Sequence, residues 1–213
     1  MKEYGEIQIL SLFPTPVYST DKISGMDKLE IKDVQECIRD GMAKYDISQN
    51  ATTSNSYIFN TGKLTKLKEF CEYHIQQYVN KIIRPKHEVV FYITQSWINV
   101  GKPNEEHRQH SHPNSFISGC YYIKTVEDDR ITFYDSSSPI KKVMRFGTNV
   151  HNPWNSDVWS VPVSNNKLLL FPSWFEHGVP INEKATTDRI SLSFNVFAKG
   201  SFGDESDLTK AFI

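Results

Sequence analysis

After Arg84-Pro85 the chain changes period, and that change limits what it can fold into. From Glu88 onward the apolar residues come in short runs, alternating or continuous, with turn formers between them. The runs cover 89–100, 116–124, 130–134, a weaker 143–146, 158–161, 167–171 and 189–198. Many short strands at this spacing point to a sandwich or barrel.

The residues before Pro85 are helical in pattern. Across 64–83, Leu67, Phe70, Cys71, His74, Ile75, Tyr78, Val79 and Ile82 make one apolar stripe. Thr61 or Thr65 is the expected cap, and Arg84-Pro85 the stop. A second, shorter helix is expected over 33–45, from Val34, Ile38 and Met42 at fourfold spacing, with Gly41 weakening it. Residues 6–19 alternate and contain Pro14 and Pro16, as an edge strand broken by prolines does. Residues 46–56 are polar and read as an exposed loop. The expected architecture is therefore α+β: a strand and helices over 1–85, laid on one face of a β core over 86–199. A loosely held polar tail follows over 200–213, with Leu208 and Phe212 as docking points. No linker or repeat divides the 213 residues, which suit one domain with a sizeable core.

Composition excludes more than it proposes. A net charge of -1 gives no electrostatic footing for nucleic acid or an anionic membrane. No apolar segment reaches membrane-spanning length, and the first residues lack the pattern of a secretion signal. The three cysteines, Cys37, Cys71 and Cys120, are scattered, as reduced thiols of a cytoplasmic protein would be. Aromatic residues at 13% suit a β-rich fold with a lined pocket. There is no Gly-x-Ser-x-Gly elbow and no Gly-rich phosphate loop.

The chemistry gathers in Glu106-His107-Arg108-Gln109-His110-Ser111-His112-Pro113, where three of the seven histidines fall within six residues. In extended backbone, side chains two apart share a side, so His110 and His112 can hold one metal ion. A third imidazole, His177, follows the buried run 167–171 and a proline turn. Two near ligands and one distant one, all delivered by strands, leave coordination positions open. The last strand adds an arginine. Its even positions Ile190, Leu192, Phe194 and Val196 are apolar, and its odd positions Arg189, Ser191, Ser193 and Asn195 are polar. The polar face lines either a wet interior or solvent. In an interior Arg189 meets a carboxylate or phosphate in a bidentate pair; otherwise it pairs with Asp188 or Glu176. His74 and Cys71 read as packed core residues, His87 and His151 as surface, and Trp97 and Trp174 as core or pocket wall. The polar stretch 135–160 is either a solvated insertion or a lid.

Taken together, Trp97-Ile98-Asn99, His110-Ser111-His112-Pro113, Ser115 with Ser118-Gly119-Cys120-Tyr121-Tyr122-Ile123, Phe171-Pro172-Ser173-Trp174 with His177, and Arg189-Ile190-Ser191 with Phe194-Asn195 resemble the 2-oxoglutarate- and iron(II)-dependent dioxygenases. More narrowly, the chain is similar to a group of such oxygenases common in bacteria and phages. The resemblance implies a double-stranded β-helix (jelly-roll) core, iron(II) and 2-oxoglutarate as cofactor and cosubstrate, and O2 as co-reactant. It implies an unidentified prime substrate, hydroxylated while 2-oxoglutarate becomes succinate and CO2. It makes His110 and His177 iron ligands and gives the far carboxylate of 2-oxoglutarate to Arg189. Tyr122, Asn99 and Ser191 are further cosubstrate contacts. One departure stands out: the family's pattern has an acid where this chain has His112. Either His112 ligates in its place, or Asp135 swings in, or His107 is the ligand and His112 stands behind. The rival reading is a cupin-like module that binds a metal or ligand and has lost catalysis.

Overall fold

The structure is a computed structural model that describes residues 6–44, 50–136 and 149–213. In chain order its elements are β1 (Tyr18–Asp21), α1 (Lys28–Arg39), β2 (Met42–Lys44), β3 (Ala51–Thr53), α2 (Thr65–Tyr78), β4 (Val89–Gly101), β5 (His107–His110), β6 (Ile117–Lys124), β7 (Arg130–Tyr134), β8 (Val158–Pro162), β9 (Lys167–Pro172), β10 (His177–Val179), β11 (Arg189–Phe202) and β12 (Ala211–Phe212). The ladders are antiparallel and form two sheets. The larger runs β1-β9-β6-β11-β4-β3-β2, with β12 added to β11, and the smaller runs β5-β10-β7-β8. No helix of the described residues is long and apolar enough to cross a membrane.

The larger sheet is the middle layer. Strand alternation sends Tyr121, Leu168, Leu170, Leu192, Phe194 and Val196 to one face. There they share a cluster with Val34 and Cys37 of α1 and Leu67, Cys71, Ile75 and Tyr78 of α2. Each large apolar side chain buried this way stabilises the fold by about 2 kcal/mol. The opposite face has two halves. Under β6 and β9 it is largely apolar, with Cys120, Tyr122, Leu169 and Phe171 packed on Ile131 and Phe133 of β7. Under β4 and β11 it presents Trp97, Asn99, Ser191 and Ser193 to a cavity. The polar positions of β11 therefore line an interior, not solvent. Gly119 lets β6 lie over this core, because a Cβ there would meet the Phe194 ring at 2.1 Å.

Several elements differ from the sequence expectation, each for a local reason. The first strand begins at Tyr18, beyond Pro14 and Pro16, and forms the edge of the larger sheet. The first helix is Lys28–Arg39, not 33–45, because Asp27 and Glu30 form a reciprocal capping box with both bonds at 2.9 Å. It ends before Gly41, whose φ of 143° few other residues adopt. Neither threonine caps α2; Leu64, at φ 56°, precedes it and donates its N–H to Asp33 Oδ2 at 2.8 Å. The helix stops at Tyr78 and a π-helical turn, Val79–Ile83, completes the expected span. Part of the expected loop is strand, Ala51–Thr53. The tail is tied by β12, in which Phe212 pairs with Ser201, while the side chains of Leu208 and Phe212 remain exposed. His74 sits half-buried against Phe70 and accepts a place beside Tyr18, whose hydroxyl lies 2.8 Å from its Nδ1. The weak strand expected over 143–146 lies outside the described residues.

Candidate metal centre and its cavity

His110 ends β5, His177 begins β10, and the two are direct cross-strand partners. Gly178 allows that approach, since a Cβ there would stand 2.8 Å from the carbonyl of His107. His112 lies two residues beyond β5, and its backbone N–H donates to the Ser173 carbonyl at 2.9 Å. Below it the hydroxyls of Ser118, Ser173 and Ser115 form a chain with spacings of 2.9 and 2.7 Å, pinning β6 to the turn that carries His177. One nitrogen from each of His110, His112 and His177 falls within 4.8 Å of the others.

The hydrogen bonds decide which nitrogen that is. His110 Nδ1 lies 2.8 Å from the Arg108 carbonyl, His177 Nδ1 lies 2.9 Å from the Phe175 carbonyl, and His112 Nδ1 lies 2.6 Å from Asn195 Oδ1. Each partner is an acceptor, so each ring carries its proton on Nδ1 and its lone pair on Nε2. The Nε2 atoms of His110 and His112 then face each other at 3.1 Å with two lone pairs and no proton between them. Such a contact is repulsive unless a cation sits in it. Ligands at right angles with metal–nitrogen bonds of about 2.1 Å stand about 3.0 Å apart, which this spacing matches. Burial holds the rings neutral: it pushes His112 down to about 4 and His177 well below the usual imidazole value, with His110 adding to both. Neutral imidazoles are the form a divalent transition metal binds.

The alternates are elsewhere. His107 stacks on His110, with ring centres 4.4 Å apart, and burial takes it down to about 3. It is not a member of the triad. Asp135 lines a different cleft with Trp154 and Trp159, and its N–H donates to the Asp157 carbonyl at 2.8 Å. Among the described residues no acid joins the three histidines. Trp97 stands as a wall, its ring parallel to that of His112 within 18°, whereas Trp174, largely exposed, walls the other cleft, the one with Asp135.

One cavity holds the triad at one end and Arg189 at the other. The larger sheet sets out its floor in rows. Ser191 pairs with Asn99 on one side and Tyr122 on the other; Ser193 pairs likewise with Trp97 and Cys120, and Asn195 with Gln95 and Ser118. Asn99, Tyr122 and Ser191 thus lie side by side next to Arg189. The arginine's partner is neither Asp188 nor Glu176 but Asp129, whose two oxygens accept from Nε at 3.0 and 2.9 Å. Glu176 instead accepts from Gln109 Nε2 at 2.6 Å. Burial works against the Arg189 charge, yet its surroundings, Asp129 included, keep it firmly protonated. Nη1 reaches the Ser191 hydroxyl at 3.3 Å and the guanidinium lies over the Tyr122 ring at 5.1 Å. Among the described residues the buried Tyr122 hydroxyl finds no nitrogen or oxygen partner, and only the Cys120 thiol is its polar neighbour. An unmet buried donor costs about 1–3 kcal/mol, so an acceptor entering here would relieve it.

Asp129 and Asn195 are the two participants that sequence reasoning left without a role. Asp129 ends the run Glu127-Asp128-Asp129, which reads as a solvated turn, and nothing in the run marks its last member. Asn195 carried a signal, since it lies on the polar face of the strand that begins with Arg189.

The chain is similar to known proteins in sequence and in fold. Residues 95–195 match the family model described as "Putative 2OG-Fe(II) oxygenase". No curated protein matches the chain. Among solved structures, a prolyl hydroxylase from Trichoplax adhaerens, in complex with a hypoxia inducible factor peptide fragment, superposes with a TM-score of 0.58 at 10% identity, covering 85% of this chain and 83% of that one. A prolyl-4-hydroxylase from Pseudomonas putida gives 0.53 at 13% identity over 85% and 92%. HygX from Streptomyces hygroscopicus, with nickel and 2-oxoglutarate bound, gives 0.55 at 10% identity over 85% and 82%. At these identities the shared property is the fold.

Proposed function

The chain resembles the 2-oxoglutarate- and iron(II)-dependent oxygenases over residues 95–195, and from that premise we propose that it is a dioxygenase of this kind, hydroxylating an unidentified substrate with release of succinate and CO2. It works as a single domain, with a double-stranded β-helix over 86–199 braced by the strand and helices of 1–85. The observation that carries the reading is the convergence of three unprotonated Nε2 atoms in the cavity that also holds Arg189.

His110, His112 and His177 hold the iron, and Arg189 takes the far carboxylate of 2-oxoglutarate through its Nη edge. The Nε edge is already committed to Asp129. Asn99, Ser191 and Tyr122 add hydrogen bonds along the same row of the sheet. Iron(II) and 2-oxoglutarate, when bound, supply oxygen activation driven by oxidative decarboxylation. The chain's own part is positional. The Arg108, Phe175 and Asn195 acceptors fix the three rings, and a metal held by these three ligands would have coordination positions left for other ligands. Ile131 and Phe171 supply an apolar wall that limits water.

The test is anaerobic titration of iron(II)-loaded protein with 2-oxoglutarate, read by a visible charge-transfer band, followed by succinate formation in air. Protein that neither binds nor consumes 2-oxoglutarate sinks the reading. His112 in place of an acid favours one second reading, a cupin-like metal-binding module; that protein would take metal and show no band.

A further inference from the structure

Three acids stand in a row in the β6–β7 connection, Glu127, Asp128 and Asp129, and the last is treated differently from the others. Glu127 and Asp128 are exposed and pair with Lys184. Asp129 is 5% exposed and faces Arg189. The turn is built to place it there. Asp128 takes the left-handed conformation at φ 52°, which Asp tolerates better than most residues. The Asp129 N–H donates to the Val126 carbonyl at 3.3 Å, and its carbonyl accepts from the Val163 N–H at 3.0 Å. Held at both backbone groups, Asp129 sets its two oxygens on the Nε edge of Arg189 and leaves the Nη edge on the side of Ser191.

A buried carboxylate in this place acts against a dicarboxylate ligand. It repels the ligand's far carboxylate and shares the guanidinium with it, so Arg189 attracts an anion less than a lone arginine would. The metal end differs in the opposite sense. An imidazole that offers its lone pair to a cation carries no charge, so the three histidines of the triad would subtract nothing from the charge of a divalent ion. An acid in the place of His112 would subtract one charge. Negative charge is thus withheld at the metal end and supplied at the arginine end.

We propose that Asp129 is a specificity-determining residue for the cosubstrate: it moves the attraction for the 2-oxo acid from the arginine end to the metal end and limits what the far carboxylate adds to binding. The inference rests on the oxygenase reading of the metal centre. Asp129 and His112 are then two halves of one arrangement. Removing the acid at 129 leaves the cavity with an extra positive charge, and placing an acid at 112 gives it an extra negative one. The two changes together restore the charge it has now, whatever other charges stand around it. A residue that only held Arg189 in position would act otherwise. Its loss would weaken the contact with the far carboxylate, and an acid at 112 would compound the damage.

The full-length protein, saturated with iron(II), is titrated without oxygen against two 2-oxo acids of equal chain length: 2-oxoglutarate, and 2-oxopentanoate, which lacks the far carboxylate. The ratio of their affinities reads that carboxylate alone, and a partial loss of folded protein cancels from it. Asp129→Asn should raise the ratio at least about fivefold by tightening 2-oxoglutarate. His112→Asp should weaken both acids at least about fivefold and move the ratio by less than about twofold. The double variant should bind 2-oxoglutarate within about threefold of the unaltered protein and keep the raised ratio. Asp129→Ser carries the same expectation if the amide variant does not fold. An unchanged or lowered ratio in the Asp129 variants, undiminished binding of both acids by His112→Asp, or a double variant that recovers nothing overturns the proposal. Any of these alongside a charge-transfer band in the unaltered protein leaves the oxygenase reading standing. Absence of 2-oxoglutarate binding by the unaltered protein overturns both.

Discussion

At one end of the cavity three imidazoles converge with no acid among them; at the other a guanidinium is already held by a carboxylate. The family pattern that the chain resembles puts an acid beside the metal. Here the buried negative charge lies instead at the arginine. The two ends therefore depend on ligand differently. Arg189 and Asp129 neutralise each other, so the charge at that end is balanced before anything binds, and only the Tyr122 hydroxyl there lacks a nitrogen or oxygen partner among the described residues. In the triad the Nε2 lone pairs of His110 and His112 face one another at 3.1 Å, so that end calls for a cation.

Removing a ligand from the unbalanced end gives the largest effect. His177→Ala should weaken iron(II) binding at least about a thousandfold, beyond the 10–100-fold that losing an outer partner of a metal-bound imidazole costs. Isothermal titration measures it, and the 2-oxoglutarate end should keep its shape. Undiminished metal affinity would mean that the triad is not the metal site.

Arg189→Met acts at the balanced end. It removes the cosubstrate's counter-charge and leaves Asp129 buried alone. A broken buried pair costs about 3–5 kcal/mol of stability, so the melting temperature should fall; the cosubstrate, without its counter-charge, should bind at least about thirtyfold more weakly, with metal affinity unchanged. Equal loss of metal and cosubstrate would show that the two ends are not separate. Asp129→Ala sharpens the point from the other side. The metal-free protein should lose about 3 kcal/mol of stability. Added 2-oxoglutarate, now the guanidinium's main counter-charge, should raise the melting temperature more in this variant than in the unaltered protein. A smaller ligand-induced rise would mean that Asp129 positions Arg189 rather than balancing it.

What the sequence made legible follows the same division. The strands β4, β6, β7, β8, β9 and β11 were visible because short apolar runs, alternating or continuous, with turn residues between are a property of each segment alone. His110, His112, His177 and Arg189 were visible because their residue types are rare together and their spacing fits one face. β5 and β10 were not visible: at four and three residues they carry no alternation of their own and exist because each pairs with the other. The start of α1 is legible in the capping box Asp27-Lys28-Leu29-Glu30, whereas apolar spacing alone points to a start further on. Asp129 was not legible, because only the folded β6–β7 connection sets it against a residue sixty positions away.

The smallest expected effect bears on whether His112 is a ligand or a remnant. Asn195 donates nothing to the metal; it accepts the Nδ1 proton of His112 at 2.6 Å and so leaves Nε2 free. Removing that acceptor lets the proton move to either nitrogen and lets the ring turn, and only one of those states can bind a cation. Asn195→Ala should therefore weaken metal binding about tenfold, the lower end of the range for such a partner, with little change in 2-oxoglutarate affinity per bound metal. Asn195→Asp keeps the acceptor and should recover most of the loss. If Asn195→Ala binds metal as tightly as the unaltered protein, His112 is not holding the ion, and two imidazoles carry the site without it.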